Sequence, residues 1–250
     1  MHQIGASTLI YERLMMTVIE VCVEDLAGIQ AAYEGGADRV ELCVNLEVGG
    51  LTAPDQLIFD AIEMISGFER EFSLRLLIRE YYESFIHNSE QQRDLVISVA
   101  RLRKLLEKKT TFPIGFVVGA LDADGTVPEK FLDEMVTAVD GWSVVFHRGI
   151  DASSARNDGL AKLVAHGFTG VLTTGGDESV ADVVQLADDI LQHGSTLQII
   201  ASGGVRAHNA AGILRESGAP EIHFRAPYED GRPGTDPERV AQIVKVIREA

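Results

Sequence analysis

From Val18 onward, short apolar runs rich in β-branched residues alternate with amphipathic stretches at a regular beat. That rhythm is the signature of βα units rather than of hairpins. The strand candidates are Val18–Cys22, Arg39–Cys43, Leu74–Arg79, Ile114–Val118, Ser143–His147, Gly170–Thr173, Leu197–Ala201 and Glu221–Arg225. Helices are expected to begin near Asp25, Pro54, Ser89, Pro128, Ser153, Asp177, Arg206 and Asp236, several of them opened by an N-cap residue or a proline of the first turn. Glycines at Gly35-Gly36, Gly167 and Gly218 fit helix ends that feed the next strand.

Eight βα units in a 250-residue chain match a single closed (βα)₈ TIM barrel of the α/β class. An open doubly wound sheet would carry a glycine-rich turn after the first strand, but Cys22 is followed by Val23-Glu24-Asp25. No linker-like stretch divides the unit, so residues 17–250 are read as one barrel domain. Residues 1–16 are read as a peripheral extension, with Met15 and Met16 just before the first strand. They lack a basic segment followed by a long apolar run, so no secretory signal is expected.

An apolar content of 46% supports a large core, while 38 acidic against 22 basic side chains give a net charge of −16. Such a chain repels nucleic-acid backbones and anionic lipid, so neither partner is expected. Two cysteines, both in predicted strands, make no disulfide framework and fit a reducing, cytoplasmic location.

In this fold chemistry gathers at the C-terminal ends of the strands. Alternation puts Glu20 and Cys22 on one face of the first strand, and Glu41 and Cys43 on one face of the second. A carboxylate does not face an apolar layer cheaply, so this face is expected to meet a polar mouth. The other strand ends add Arg79, Asp122, His147 with Arg148, Thr173, Ser202, and His223 with Arg225.

Glu20, Glu41, His147 and Asp122 are the candidate catalytic groups, with Glu20 and Glu41 alternatively serving as structural ion-pair partners of Arg75 or Arg79. Arg79, Thr173, Ser202, Gly203, Gly204, His223 and Arg225 are the candidate substrate-binding residues. Ser202-Gly203-Gly204 follows the seventh strand, where backbone amides often cradle phosphate, although a tight turn explains the glycines as well. The long segment from Ala226 to Pro237 is a candidate lid. Cys22 and Cys43 suit a soft ion such as Cu(I), or act as small buried hydrophobes staggered in height on neighbouring strands.

The phrases IEVCVED, GGADRVELC with EVGGLTAP, GALDADGTV, VVFHRGID, VLTTGG, ASGGVRAHN and EIHF, in this order from about Thr17 to about Arg225, resemble the CutC copper-homeostasis family. The resemblance implies a cytosolic (βα)₈ barrel, a homo-oligomer (dimer or tetramer), and Cu(I) held by the residues at Cys22 and Cys43. It also implies a polar pocket at Glu20, Glu41, Arg79, Asp122 and His147. After the third strand the family pattern Arg-Pro-Arg-Gly-Gly-Asp-Phe is replaced by Arg79-Glu80-Tyr81-Tyr82-Glu83-Ser84-Phe85, and after His223 small residues give way to Phe224-Arg225. Three functions follow: copper handling, an enzyme acting on a small polar (phosphorylated or sugar-like) metabolite by Glu/His acid–base chemistry, and a non-catalytic oligomeric binding module.

Overall fold

A computed structural model describes residues 17–176 and 179–250. Eight parallel strands, β1 (Val18–Val23), β2 (Arg39–Leu42), β3 (Ser73–Ile78), β4 (Ile114–Val118), β5 (Ser143–Phe146), β6 (Gly170–Thr173), β7 (Gln198–Ala201) and β8 (Glu221–Phe224), pair in chain order. β8 returns to β1, so the sheet closes. The expected barrel is therefore present. Helices α1 (Leu26–Glu34), α2 (Asp55–Ser66), α3 (Ser89–Leu106), α4 (Glu129–Val139), α5 (Arg156–Ala165), α6 (Val183–His193), α7 (Ala210–Ser217) and α8 (Pro237–Arg248) connect the strands. The expected extension at 1–16 and the helix start at Asp177 lie outside the described residues; α6 is capped by Asp182, whose side chain accepts from the Val184 and Gln185 amides.

Local chemistry sets the boundaries. Asp25 accepts from the Gly28 amide at the head of α1, Asn88 and Gln91 cap α3 reciprocally, and Asp236 with Pro237 opens α8. α5 starts three residues later than expected, because Arg148–Ala152 forms a short 3₁₀ turn first. α7 also starts late, because Asn209 ties the preceding loop, accepting from the Arg206 amide and donating to the Gly204 carbonyl.

Alternation divides the core. Ile19, Val21, Val40, Leu42, Leu74, Phe116 and Phe146 face the helices and are buried. The barrel interior has two unlike halves. From β4 to β7 its middle is apolar, with Val117, Val145, Leu172 and Ile200 packed together. From β8 through β1 and β2 to β3 it is ionic. There Glu20 Oε2 accepts from Arg39 Nε at 2.6 Å and Arg75 Nη1 at 3.0 Å, and both guanidinium groups also reach Glu221. Two carboxylates thus face two guanidinium groups, all buried except the edge of Arg39.

Burial would raise the Glu20 carboxyl, but Arg75 and Arg39 outweigh it and hold the group well below the usual carboxylate range. Its contribution to stability is therefore present above the unfolded-state value and lost as pH falls through the folded one. Removing one member of such a cluster strands buried charge. Glu20→Gln is expected to cost about 3–5 kcal/mol in urea unfolding; a loss below about 1 kcal/mol, the scale of an exposed pair, would contradict this account of the cluster.

Candidate functional site

A cavity of about 420 Å³ opens at the C-terminal end of the barrel. Its wall includes Cys22, Glu41, Leu77 and Leu172 from the strands, with Arg79, His147, Ser202 and His223 at or just beyond the strand ends. Loop residues Arg148, Gly203, Gly204, Val205, Arg206 and Arg225 complete the part of the rim that bears on chemistry. Most of the expected binding residues are thus brought together.

Four expected residues do not reach the cavity wall. Glu20 is fully buried and spent in the ion cluster: its second oxygen, Oε1, takes the Nδ1 proton of His223 at 2.8 Å. Thr173 points outward, because Leu172 is the inward residue of β6, and donates to Asp151 while accepting from Arg156. Asp122 lies beyond β4 and accepts from Gln92 at 2.8 Å. Cys43 sits behind Cys22, and the two sulfurs meet at 3.6 Å despite their stagger because both side chains turn inward. Together with Leu46 and Leu77 they belong to an apolar layer, of which Cys22, Leu46 and Leu77 border the cavity while Cys43 does not.

Glu41 differs from Glu20 by lacking a guanidinium partner. Its Oε1 accepts from the Cys22 thiol at 3.4 Å, while Oε2 is buried with no hydrogen-bond partner among the described residues. Burial, with the nearby Glu20 charge, raises its carboxyl above the ordinary range against the pull of His223. The Cys22 thiol is pushed far up by its contact with Cys43, by burial and by Glu41, so it stays protonated. His223 shows the opposite balance: burial would lower it, but the Glu20 hydrogen bond and the Glu41 and Glu20 charges raise it. A carboxylate on Nδ1 orients the ring and leaves its other edge toward the cavity.

His147 is held differently. Gly149 N–H donates to its Nδ1 at 3.0 Å, so the proton of the neutral ring sits on Nε2, which has no partner among the described residues. The ring lies where a Cβ on Gly119 or Gly149 would come within 2.5 Å or 2.7 Å of it, so both neighbours must be glycine. Burial first, then the charge of Arg79, pushes His147 down to about 3. It is therefore a fixed neutral donor.

Arg79 gives Nη1 to the Val48 and Gly50 carbonyls and Nη2 to Tyr82, leaving Nε buried without a partner among the described residues. Its guanidinium and the His147 ring share the Phe85 ring, at 5.2 Å and 5.0 Å. Phe85 is thus the common support. Ser202 Oγ is a further buried hydroxyl with no partner among the described residues.

After β7 the chain turns through Gly203 (φ +85°) and Gly204 (φ +60°). A Cβ on Gly203 would lie 2.3 Å from Thr174 Cγ2, which reserves the position for glycine. Among the described residues the amides of Gly203, Gly204 and Val205 have no acceptor. Arg206 and Arg225 flank them, and among the described residues their guanidinium groups bond to the Val205 and Leu46 carbonyls alone. The long segment after β8 folds back on itself through a Pro227–Thr235 bridge, and Pro227 touches the cavity.

Comparison with known proteins shows the family. Residues 17–227 match the CutC family. The chain belongs to that family. A CutC family protein of Mesorhizobium japonicum is 32% identical, over 84% of this chain and 78% of its own. One from Caulobacter vibrioides is 33% identical, over 88% and 84%. The crystal structure of CutC from Streptococcus agalactiae superposes with a TM-score of 0.73 at 26% identity, covering 83% of this chain and 98% of that one.

Sequence reasoning had overlooked the ionic roles of Arg39 and Glu221 and the rim position of Arg206. Parity carried the first two, since Arg39 is two residues before Glu41 and Glu221 two before His223.

Two titration outcomes follow. The His147 ring nitrogens should keep the NMR shifts of a neutral Nε2–H tautomer from pH 8 down to pH 5; a titration near the ordinary 6.5 would contradict the buried-donor assignment. Glu41, with its carboxyl raised, favours the native state fully below its unfolded value and loses that advantage as pH rises through the folded one. Glu41→Gln should therefore raise the melting temperature at pH 8 and not at pH 4, and equal shifts at both would contradict it.

Proposed function

We propose that this CutC family protein is a barrel enzyme that binds a small anionic metabolite, best a phosphate monoester, and moves protons on it with Glu41 and His223. One observation carries the reading. On a chain of net charge −16, the cavity gathers Arg79, Arg206 and Arg225, none of them paired with a carboxylate among the described residues, beside three amides with no acceptor. A cation cluster left uncompensated in an acidic protein is matched by an anionic ligand, and successive free amides in positive-φ turns form an anion-binding nest. Glu41 and His223, at the other side of the same cavity, are both raised, the carboxyl by burial and the imidazole by the Glu20 hydrogen bond and the acidic charges around it, and so pair a carboxyl that is a stronger base than usual with an imidazole that holds its proton more firmly. The cytoplasmic location and the homo-oligomeric assembly expected from the sequence belong to the same proposal.

A second reading rests on the 3.6 Å contact between Cys22 and Cys43. Two soft sulfurs at that separation, with Glu41 and His223 beside Cys22, form a donor set that fits one Cu(I) ion, in keeping with the copper homeostasis named for the streptococcal relative. Only Cys22 of the pair borders the cavity, whose rim is rich in guanidinium groups, so a cation approaches against charge.

Inorganic phosphate should raise the melting temperature relative to chloride of equal ionic strength, by about 2.7 kcal/mol of stability at a concentration 100 times the dissociation constant. Arg225→Ala should weaken phosphate at least tenfold, the scale of one charge-assisted bond. No stabilisation by phosphate or phosphate monoesters would overturn the first reading. For the second, Cu(I) affinity measured under reducing conditions should collapse in Cys43→Ser; unchanged affinity would end it.

A further inference from the structure

Four buried polar atoms of the cavity residues have no partner among the described residues, and they are of two kinds. His147 Nε2–H, Arg79 Nε–H and Ser202 Oγ–H are donors, while Glu41 Oε2 is an acceptor. A buried polar atom without a partner costs about 1–3 kcal/mol, so four in one cavity mark groups whose partners come with the ligand. The donors are also rigid. His147 is wedged between two glycines and anchored through Nδ1, and Arg79 is tied by its outer nitrogens to three backbone carbonyls. Both rest on Phe85.

Rigid donors that cannot relax toward each other are suited to an oxygen whose charge grows during a reaction. A neutral imidazole donates its proton without already holding a positive charge, and a single unpaired carboxylate oxygen in the same cavity is suited to remove a proton from carbon. The apolar floor of Leu77 and Leu172 excludes water from that carbon.

We propose, building on the anionic-metabolite reading, that the substrate is a phosphorylated α-hydroxycarbonyl compound and that the reaction is proton abstraction from the hydroxyl-bearing carbon next to the carbonyl. Glu41 Oε2 takes the proton from that carbon. The C–H electron pair becomes the carbon–carbon double bond of an enediolate, and the carbonyl π pair moves onto oxygen. His147 Nε2–H and Arg79 Nε–H hold that oxygen. The phosphate end lies on the Gly203–Val205 amides between Arg206 and Arg225. His223, its Nδ1 held by the Glu20 carboxylate, gives the proton of its cavity-facing nitrogen to the enediolate, and the Glu41 proton then restores His223, so the cycle closes without an outside oxidant or reductant. Glu20 is a positioning residue here.

Calorimetric titration of the full chain with two probes tests this. 2-Phosphoglycolate carries a planar carboxylate where the enediolate would sit, whereas glycerol 3-phosphate offers the same phosphate and no such group. At pH 7 the first is expected to bind at least tenfold tighter. In His147→Gln the tenfold advantage should go. The wild-type comparison stands even if a variant fails to fold. Equal affinity for both probes, or an advantage that survives in His147→Gln, overturns the carbonyl inference alone. Failure of both probes to bind overturns the anionic-metabolite reading beneath it.

Discussion

The bridge that Glu20 Oε2 makes between Arg39 and Arg75 is the interaction on which the rest of the interior depends. A closed parallel barrel forces every second residue of each strand inward, and on the β8–β3 side one layer of those residues, Glu20, Arg39, Arg75 and Glu221, is charged. Glu20 and Glu221 take up the two guanidinium groups, so Glu41 has no guanidinium hydrogen-bond partner. Burial, reinforced by the Glu20 charge, raises its carboxyl. The remaining oxygen of Glu20 then orients His223 toward the cavity. Charge compensation below the cavity therefore sets the surroundings of Glu41 and His223 in its wall.

The other half of the barrel contributes by what it lacks. Val117, Val145, Leu172 and Ile200 fill the middle without a polar atom, so the low-dielectric side of the cavity strengthens whatever electrostatic contact a ligand makes. His147 stands just beyond β5, at the end of this apolar half. Its anchoring by Gly149 and the close approach of Gly119 turn a residue that could titrate near neutrality into a permanent donor.

The fold was legible because eight β-branched runs at a steady beat admit few arrangements, and the observed strand ends differ from the expected ones by about one residue. Much of the site was legible too, since Glu41, Arg79, His147, Ser202, Gly203, Gly204, His223 and Arg225 all border the cavity. What alternation supplies is a face, and it says nothing of height along the barrel axis. Glu20 and Glu41 thus looked equivalent, though one lies in the ion cluster and the other in the cavity wall. Thr173 failed on parity itself, because Leu172 takes the inward place on β6. The freedom of the Gly203–Val205 amides was invisible in sequence, since it depends on which acceptors the folded loops bring near.

The central claim is that the mouth of this barrel is an anion site built on those three amides. Soaking crystals with tungstate, a phosphate mimic that scatters anomalously, tests it most directly. The account predicts a strong anomalous peak within hydrogen-bond distance of the Gly203, Gly204 and Val205 amides and beside Arg225. A map with no peak in the cavity, at an occupancy that labels other surface sites, would contradict it.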